Sequence, residues 1–211
     1  MPWRKSAFIL LTAGSLIHLQ AWAFESVTTM ADINRALSWG IQKQGQGYRT
    51  LLENNWQEGP QGSLLNIYSP FMQLALKGYK SNLPIEHPDE KDLAEVRKTC
   101  RRLISRTMDK AEKSTVRFVL SVTGNTPGFA AGSQATIEGY RNGVLTLVKP
   151  IDRVVPAKAT AVSEQSKEFD AALIFTFKMS DLVGFDKFVL RVKTPNPTIR
   201  WDFPLRAADL R

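Results

Sequence analysis

The sequence pattern predicts an α+β protein in which an N-terminal segment of about four helices packs on a C-terminal antiparallel β-sandwich with an immunoglobulin-like outline. Three features carry this. Apolar residues recur at helical spacing as far as Lys113. From Ser114 the period changes to two. Beyond that point come about seven short apolar-polar alternations, separated by turn residues roughly every 8 to 12 positions.

The first 23 residues stand apart. Arg4 and Lys5 precede an apolar run over residues 7–19, and Ala21-Trp22-Ala23 follows as a small-x-small site. That is the layout of a secretory signal cleaved after Ala23, and the run is too short and too interrupted by Ser15 and His18 to span a bilayer. An uncleaved amphipathic anchor is the rival reading. The chain has 28 Lys and Arg against 20 Asp and Glu, a net charge of +8 over 211 residues. Removal of the leader takes two of those bases with it. A single cysteine, Cys100, and no Asn-x-Ser/Thr sequon fit the bacterial periplasm or exterior, with no transmembrane helix in the mature chain. The expected organisation is residues 1–23 as signal, 24–113 as helical region and 114–211 as sandwich, as two regions or one shared core.

In chain order, Thr28 or Thr29 can cap a first helix whose face is Ile33, Ala36, Leu37, Gly40 and Ile41, with Asp32 in its opening turn. Residues 48–56 are expected as a short second helix carrying Leu51, Leu52 and Trp56. After the break at Gly59-Pro60, an apolar stretch leads into Ser69-Pro70, an N-cap and first-turn pair for a third helix with Phe71, Leu74, Ala75, Gly78 and Tyr79 on one face. Residues 82–88 form a linker. The fourth helix starts at Asp89 and carries a seam of Leu93, Val96, Cys100, Leu103, Thr107 and Ala111 at spacings of three and four.

In the second half, Val116, Phe118, Leu120 and Val122 alternate with Arg117, Val119 and Ser121. Arg141-Asn142-Gly143 marks a hairpin, since Asn-Gly tolerates positive φ. Pro150 and Pro156 bracket an irregular or edge segment, and residues 157–163 are expected as a short strand. Residues 171–178, 185–193 and 198–205 are the clearest strands, each with one apolar face, as expected of antiparallel sheets wet on one side.

Chemistry is sparse. His87 is the one histidine beyond the leader and sits beside Pro88 in a linker, which leaves a Ser-His-Asp triad or a His/Cys zinc site without partners. No cofactor is implied. Cys100 lies on the apolar seam, where a thiol behaves as a small hydrophobe. Glu53 and Glu58 are the weak catalytic candidates, because Tyr48 and Trp56 nearby offer surfaces on which a sugar can stack. Arg97, Arg101, Arg102 and Arg106 are candidate ligand-binding residues for phosphate or anionic lipid. The competing view is a solvated face, since acids lead and bases follow along the helix as its dipole favours. No aromatic residues interleave with these bases, which argues against nucleic acid. The leading functional expectation is a non-enzymatic binding or assembly module of the bacterial envelope, with an envelope protein or polymer as partner. The alternatives are an enzyme on envelope polysaccharide or peptidoglycan using Glu53 and Glu58, and an anionic-surface binder using the basic helix.

Overall fold

The computed structural model describes residues 27, 29–48, 51, 56–83, 87–108, 114–163, 167–196 and 199–206. The expected signal with its Ala23 site, Glu53 and the 109–113 end of the basic run lie outside these residues. The described chain is α+β, with helices beside two antiparallel sheets.

Helix α1, Met30–Gln42, begins where its chemistry allows. Thr29 accepts a hydrogen bond from the Asp32 amide at 3.2 Å, and the Asp32 carboxylate accepts from the Thr29 amide at 3.0 Å, closing a capping box. The expected face of Ile33, Ala36, Leu37, Gly40 and Ile41 is the buried one. Helix α2, Pro70–Tyr79, starts at the Ser69-Pro70 pair, with the Met72 amide donating to Ser69 Oγ at 3.1 Å. These two helices form the centre of one apolar cluster, joined by Leu93, Val96 and Cys100.

The expected single basic helix is two. Helix α3, Glu90–Thr99, ends at Cys100, and helix α4, Arg101–Met108, follows directly. Cys100 takes φ −109° and ψ 18°, off the helical path, while its amide still donates to the Val96 carbonyl. The physical reason is local. Burying Leu93, Val96 and Cys100 against α1 and α2 fixes α3, and α4 restarts beyond the non-helical Cys100 with Leu103 and Ile104 packed on the same cluster.

The sequence pattern places only helix and loop before Ser114, whereas the structure has two strands there. Strand β1, Trp56–Glu58, starts at the last residue of the expected second helix, of which Tyr48 and Leu51 are helical while 49–50 and 52–55 lie outside the described residues, and β2, Leu64–Tyr68, is the apolar stretch ahead of Ser69. Both join β3, Thr115–Gly124, in an antiparallel sheet. Leu65 and Ile67 sit on its buried side, so the packing of a neighbouring sheet decides this element rather than any periodicity of its own.

The remaining strands are β4, Gln134–Arg141; β5, Val144–Val148; β6, Asp152–Val154; β7, Thr160–Ala161; β8, Phe169–Lys178; β9, Lys187–Lys193; and β10, Arg200–Arg206. One sheet runs β1-β2-β3-β8-β6, with β7 also on β8, and the other runs β10-β9-β4-β5. A single buried cluster takes Phe118, Leu120, Leu173 and Phe175 from the first sheet and Ile137, Leu190, Trp201 and Phe203 from the second. The expected hairpin is present, with Asn142 and Gly143 both at positive φ, 51° and 77°, between paired Arg141 and Val144. Pro204, which cannot donate to a ladder, lies on edge strand β10.

Helical layer and sheets meet at β2. Ser69 follows β2 immediately and caps α2, while the Gln73 side chain donates to the carbonyls of Tyr68 (3.1 Å) and Thr115 (2.9 Å). The start of α2 is thereby pinned to the ends of β2 and β3.

Candidate functional site

Between the helical layer and the outer face of the first sheet lies a groove of about 1220 Å3. Strand alternation builds its floor. The residues of β3 and β8 that point away from the buried cluster include Val119 and Ile174, which are register partners and half-buried. Tyr68 of β2 and Arg117 of β3, also partners, flank them. Helix α2 supplies one wall through Gln73, Leu76 and Lys77. The α3–α4 bend supplies the other, through Lys98, Cys100, Arg101 and Arg102 with Leu103 behind them.

The electrostatics of this groove are one-sided. Lys77, Lys98, Arg101, Arg102 and Arg117 line it, and among the described residues none that lines it is acidic. Lys98 pairs with Glu95 at 3.1 Å, both side chains being well exposed, so that pair is weak. Among the described residues Lys77, Arg101, Arg102 and Arg117 make no ion pair. Exposed Arg101 and Arg102 stand on the rim.

Tyr68 of the lining belongs to a small group of tyrosines. The Tyr48 and Tyr68 hydroxyls are 2.8 Å apart, and the Tyr48 ring lies against Tyr79 with centroids 5.9 Å apart. Burial, and then the hydrogen bond with Tyr48, hold the Tyr68 phenol far above its ordinary range, so it stays neutral and able to donate. Cys100 is 3% exposed, and its thiol donates to the Val96 carbonyl at 3.2 Å. Burial pushes this thiol up, against the opposing positive charge of Lys77. It is a poor nucleophile as placed.

The sequence-derived candidates divide. Arg101 and Arg102 come together in the groove, and Tyr48 reaches it through Tyr68. Arg97 does not. It donates to Asn34 at 2.6 Å and to Glu90 at 2.5 Å, which ties α3 to α1. Arg106 is described only as backbone of α4. Trp56 is half-buried on β1, opposite Asn66, outside the groove lining. Glu58 is exposed at the end of β1. Lys77 and Arg117 are the groove residues that sequence reasoning misses. Each carried a signal, as the one charged residue of α2 and as an outward position in a strongly alternating strand.

A second charged site lies on the outer face of the other sheet. Arg191 of β9 pairs with Glu138 of β4 and with Asp202 of β10 at 3.1 Å, and Arg200 also pairs with Asp202. Its cations are neutralised by acids across the strands, which makes it a cross-strand brace rather than an open anion site. Among the described residues no group of three or more His, Cys, Asp and Glu is arranged to hold a metal ion, and no helix is long and apolar enough to cross a membrane.

Comparison with protein-family models, with curated proteins and with solved structures finds no match for this chain.

Proposed function

We propose that this chain is a non-enzymatic binding module, exported to the bacterial envelope, whose ligand carries an anionic group held in the basic groove. The observation that carries this is the convergence of Lys77, Arg101, Arg102 and Arg117 from three separate elements, with no acidic residue among the described lining. Like charges gathered in one partly enclosed groove repel one another, and an anion relieves that cost. Export rests on the Arg4-to-Ala23 pattern, with the periplasm or the exterior as destination. The scaffold is read as a β-sandwich with helices against one face, supported by the buried cluster drawn from both sheets. An immunoglobulin-like outline rests on strand number and spacing alone.

The test is calorimetric titration of inorganic phosphate into the wild type and into an R101Q/R102Q variant. Both side chains are exposed, so the variant keeps its fold. Each guanidinium removed weakens binding about tenfold, the worth of one charge-assisted hydrogen bond. Equal affinity in both proteins contradicts the reading.

Assembly has its own supporting observation. Edge strand β5 exposes Val144, Leu145 and Leu147, holds no charged residue, and reads Val-Leu-Thr-Leu-Val identically in both directions. A second copy pairing antiparallel about Thr146 sets matching side chains opposite one another, an isologous contact. Sedimentation of the wild type shows concentration-dependent dimers under this reading, and L145K/L147K abolishes them. A wild type monomeric at all concentrations contradicts it.

A further inference from the structure

The floor of the groove is one segment of a longer row. Trp56 of β1 is paired with Asn66 of β2, Asn66 with Val119 of β3, Val119 with Ile174 of β8, and Ile174 with Val154 of β6. These five residues therefore cross the whole sheet in a line on the face turned from the buried cluster. Val119 and Ile174 lie in the groove, and Val154, 56% exposed at the β6 edge, continues the line into solvent. From Val119 to Val154 the row crosses two strand spacings, about 10 Å. That Val119–Ile174–Val154 part is apolar, and Val119 and Ile174 share the groove with Lys77, Arg101, Arg102 and Arg117.

An inorganic anion uses only the rim of such a site. Apolar side chains beside guanidinium groups that make no ion pair among the described residues complement a molecule that carries both characters. We infer that the ligand is a single-chain anionic amphiphile, its phosphate or carboxylate head among Lys77, Arg101, Arg102 and Arg117 and its alkyl chain along Val119, Ile174 and Val154. This rests on the anionic reading of the groove and adds the apolar half of the ligand. Leu76 of α2 and Leu103 of α4 cover the chain near the head, and the row is open where Val154 leaves the groove. The site therefore tolerates chains longer than the row itself. Each methylene laid on the row leaves water, so affinity rises with chain length until the row is filled.

The experiment measures binding of inorganic phosphate, butyl phosphate, dodecyl phosphate and dodecanol, below micelle-forming concentrations, to the wild type and to Ile174→Ser and Val154→Asn. Val154 is exposed, so its substitution leaves folding intact even where Ile174→Ser is poorly stable. Dodecyl phosphate is expected to bind at least tenfold more tightly than inorganic phosphate, with butyl phosphate between them. That increment shrinks severalfold in both variants, while the affinity of Val154→Asn for inorganic phosphate is unchanged. Equal binding of dodecyl and inorganic phosphate overturns the amphiphile and leaves the anion site standing. An increment unaffected by either substitution also overturns the proposal, because the chain then lies elsewhere. Dodecanol matching dodecyl phosphate overturns it by making the head irrelevant. No binding of any phosphate removes the anionic reading and this inference together.

Discussion

Gly40 of α1 and Gly78 of α2 face one another's helices at a single crossing. A Cβ on Gly40 would come within 1.8 Å of the Ala75 carbonyl oxygen, and one on Gly78 within 2.1 Å of the Leu37 carbonyl oxygen. Both neighbours are backbone, which cannot rotate aside, so either glycine fixes how closely the helices approach. Gly40→Ala is expected to cost about 3 kcal/mol, at the upper end of ordinary overpacking. Urea unfolding checks this through the transition midpoint. A loss under about 0.5 kcal/mol, the level of a neutral surface change, would show that the crossing is looser than described.

The brace on the second sheet makes stability depend on acid pH. Hydrogen bonding from Arg200, and then from Arg191, holds the Asp202 carboxyl below its ordinary value. The folded state thus binds fewer protons here than the unfolded state does. Its stabilisation is complete above the ordinary carboxylate range, near pH 4, and is lost as pH falls through the lowered folded value. Wild type and Asp202→Asn compared by urea midpoint should differ most near neutrality and converge as pH drops towards about 2. A gap that stays constant with pH sinks this account of the brace.

The hairpin between β4 and β5 demands positive φ at two successive positions, Asn142 and Gly143. Gly143→Ala places a Cβ in the left-handed region at a cost of about 1 to 2 kcal/mol. Thermal melting should fall by roughly 2 to 8 °C for a chain of this size. An unchanged melting temperature means that the turn relaxes to another type.

Cys100 is the chain's one thiol and is buried at the α3–α4 bend. A water-soluble disulfide reagent should label it only as the protein unfolds, with denaturant dependence matching the global transition. Rapid stoichiometric labelling in native buffer would show the bend opening on its own and would weaken the described geometry of the groove wall.

Local chemistry made much of this legible. Thr29 with Asp32, and Ser69 with Pro70, announce helix starts because the side chains of Thr29, Asp32 and Ser69 accept from amides left without a helical partner, while Pro70 has no amide to satisfy. The alternation from Val116 to Val122 announces a strand because one side of each sheet is buried. Leu64 to Tyr68 escaped because its five residues are too few to separate the two periods, and only pairing with β1 and β3 makes them a strand. The bend at Cys100 escaped because neither glycine nor proline marks it. That bend also explains the candidate site. On an unbroken helix Arg97 and Arg101 share a face, whereas here Arg97 turns to Glu90 and Asn34 and Arg101 turns to the groove. Lys77 and Arg117 join Arg101 only through tertiary packing, which no local pattern encodes.

The central claim is that the groove is the ligand site, and amide chemical-shift mapping tests it most directly. Uniformly 15N-labelled protein titrated with inorganic phosphate should show saturable shifts confined to Lys77, Arg117 and the Lys98–Leu103 bend, with the Arg191 network silent. Shifts scattered over lysines and arginines across the surface, or none at all, contradict it.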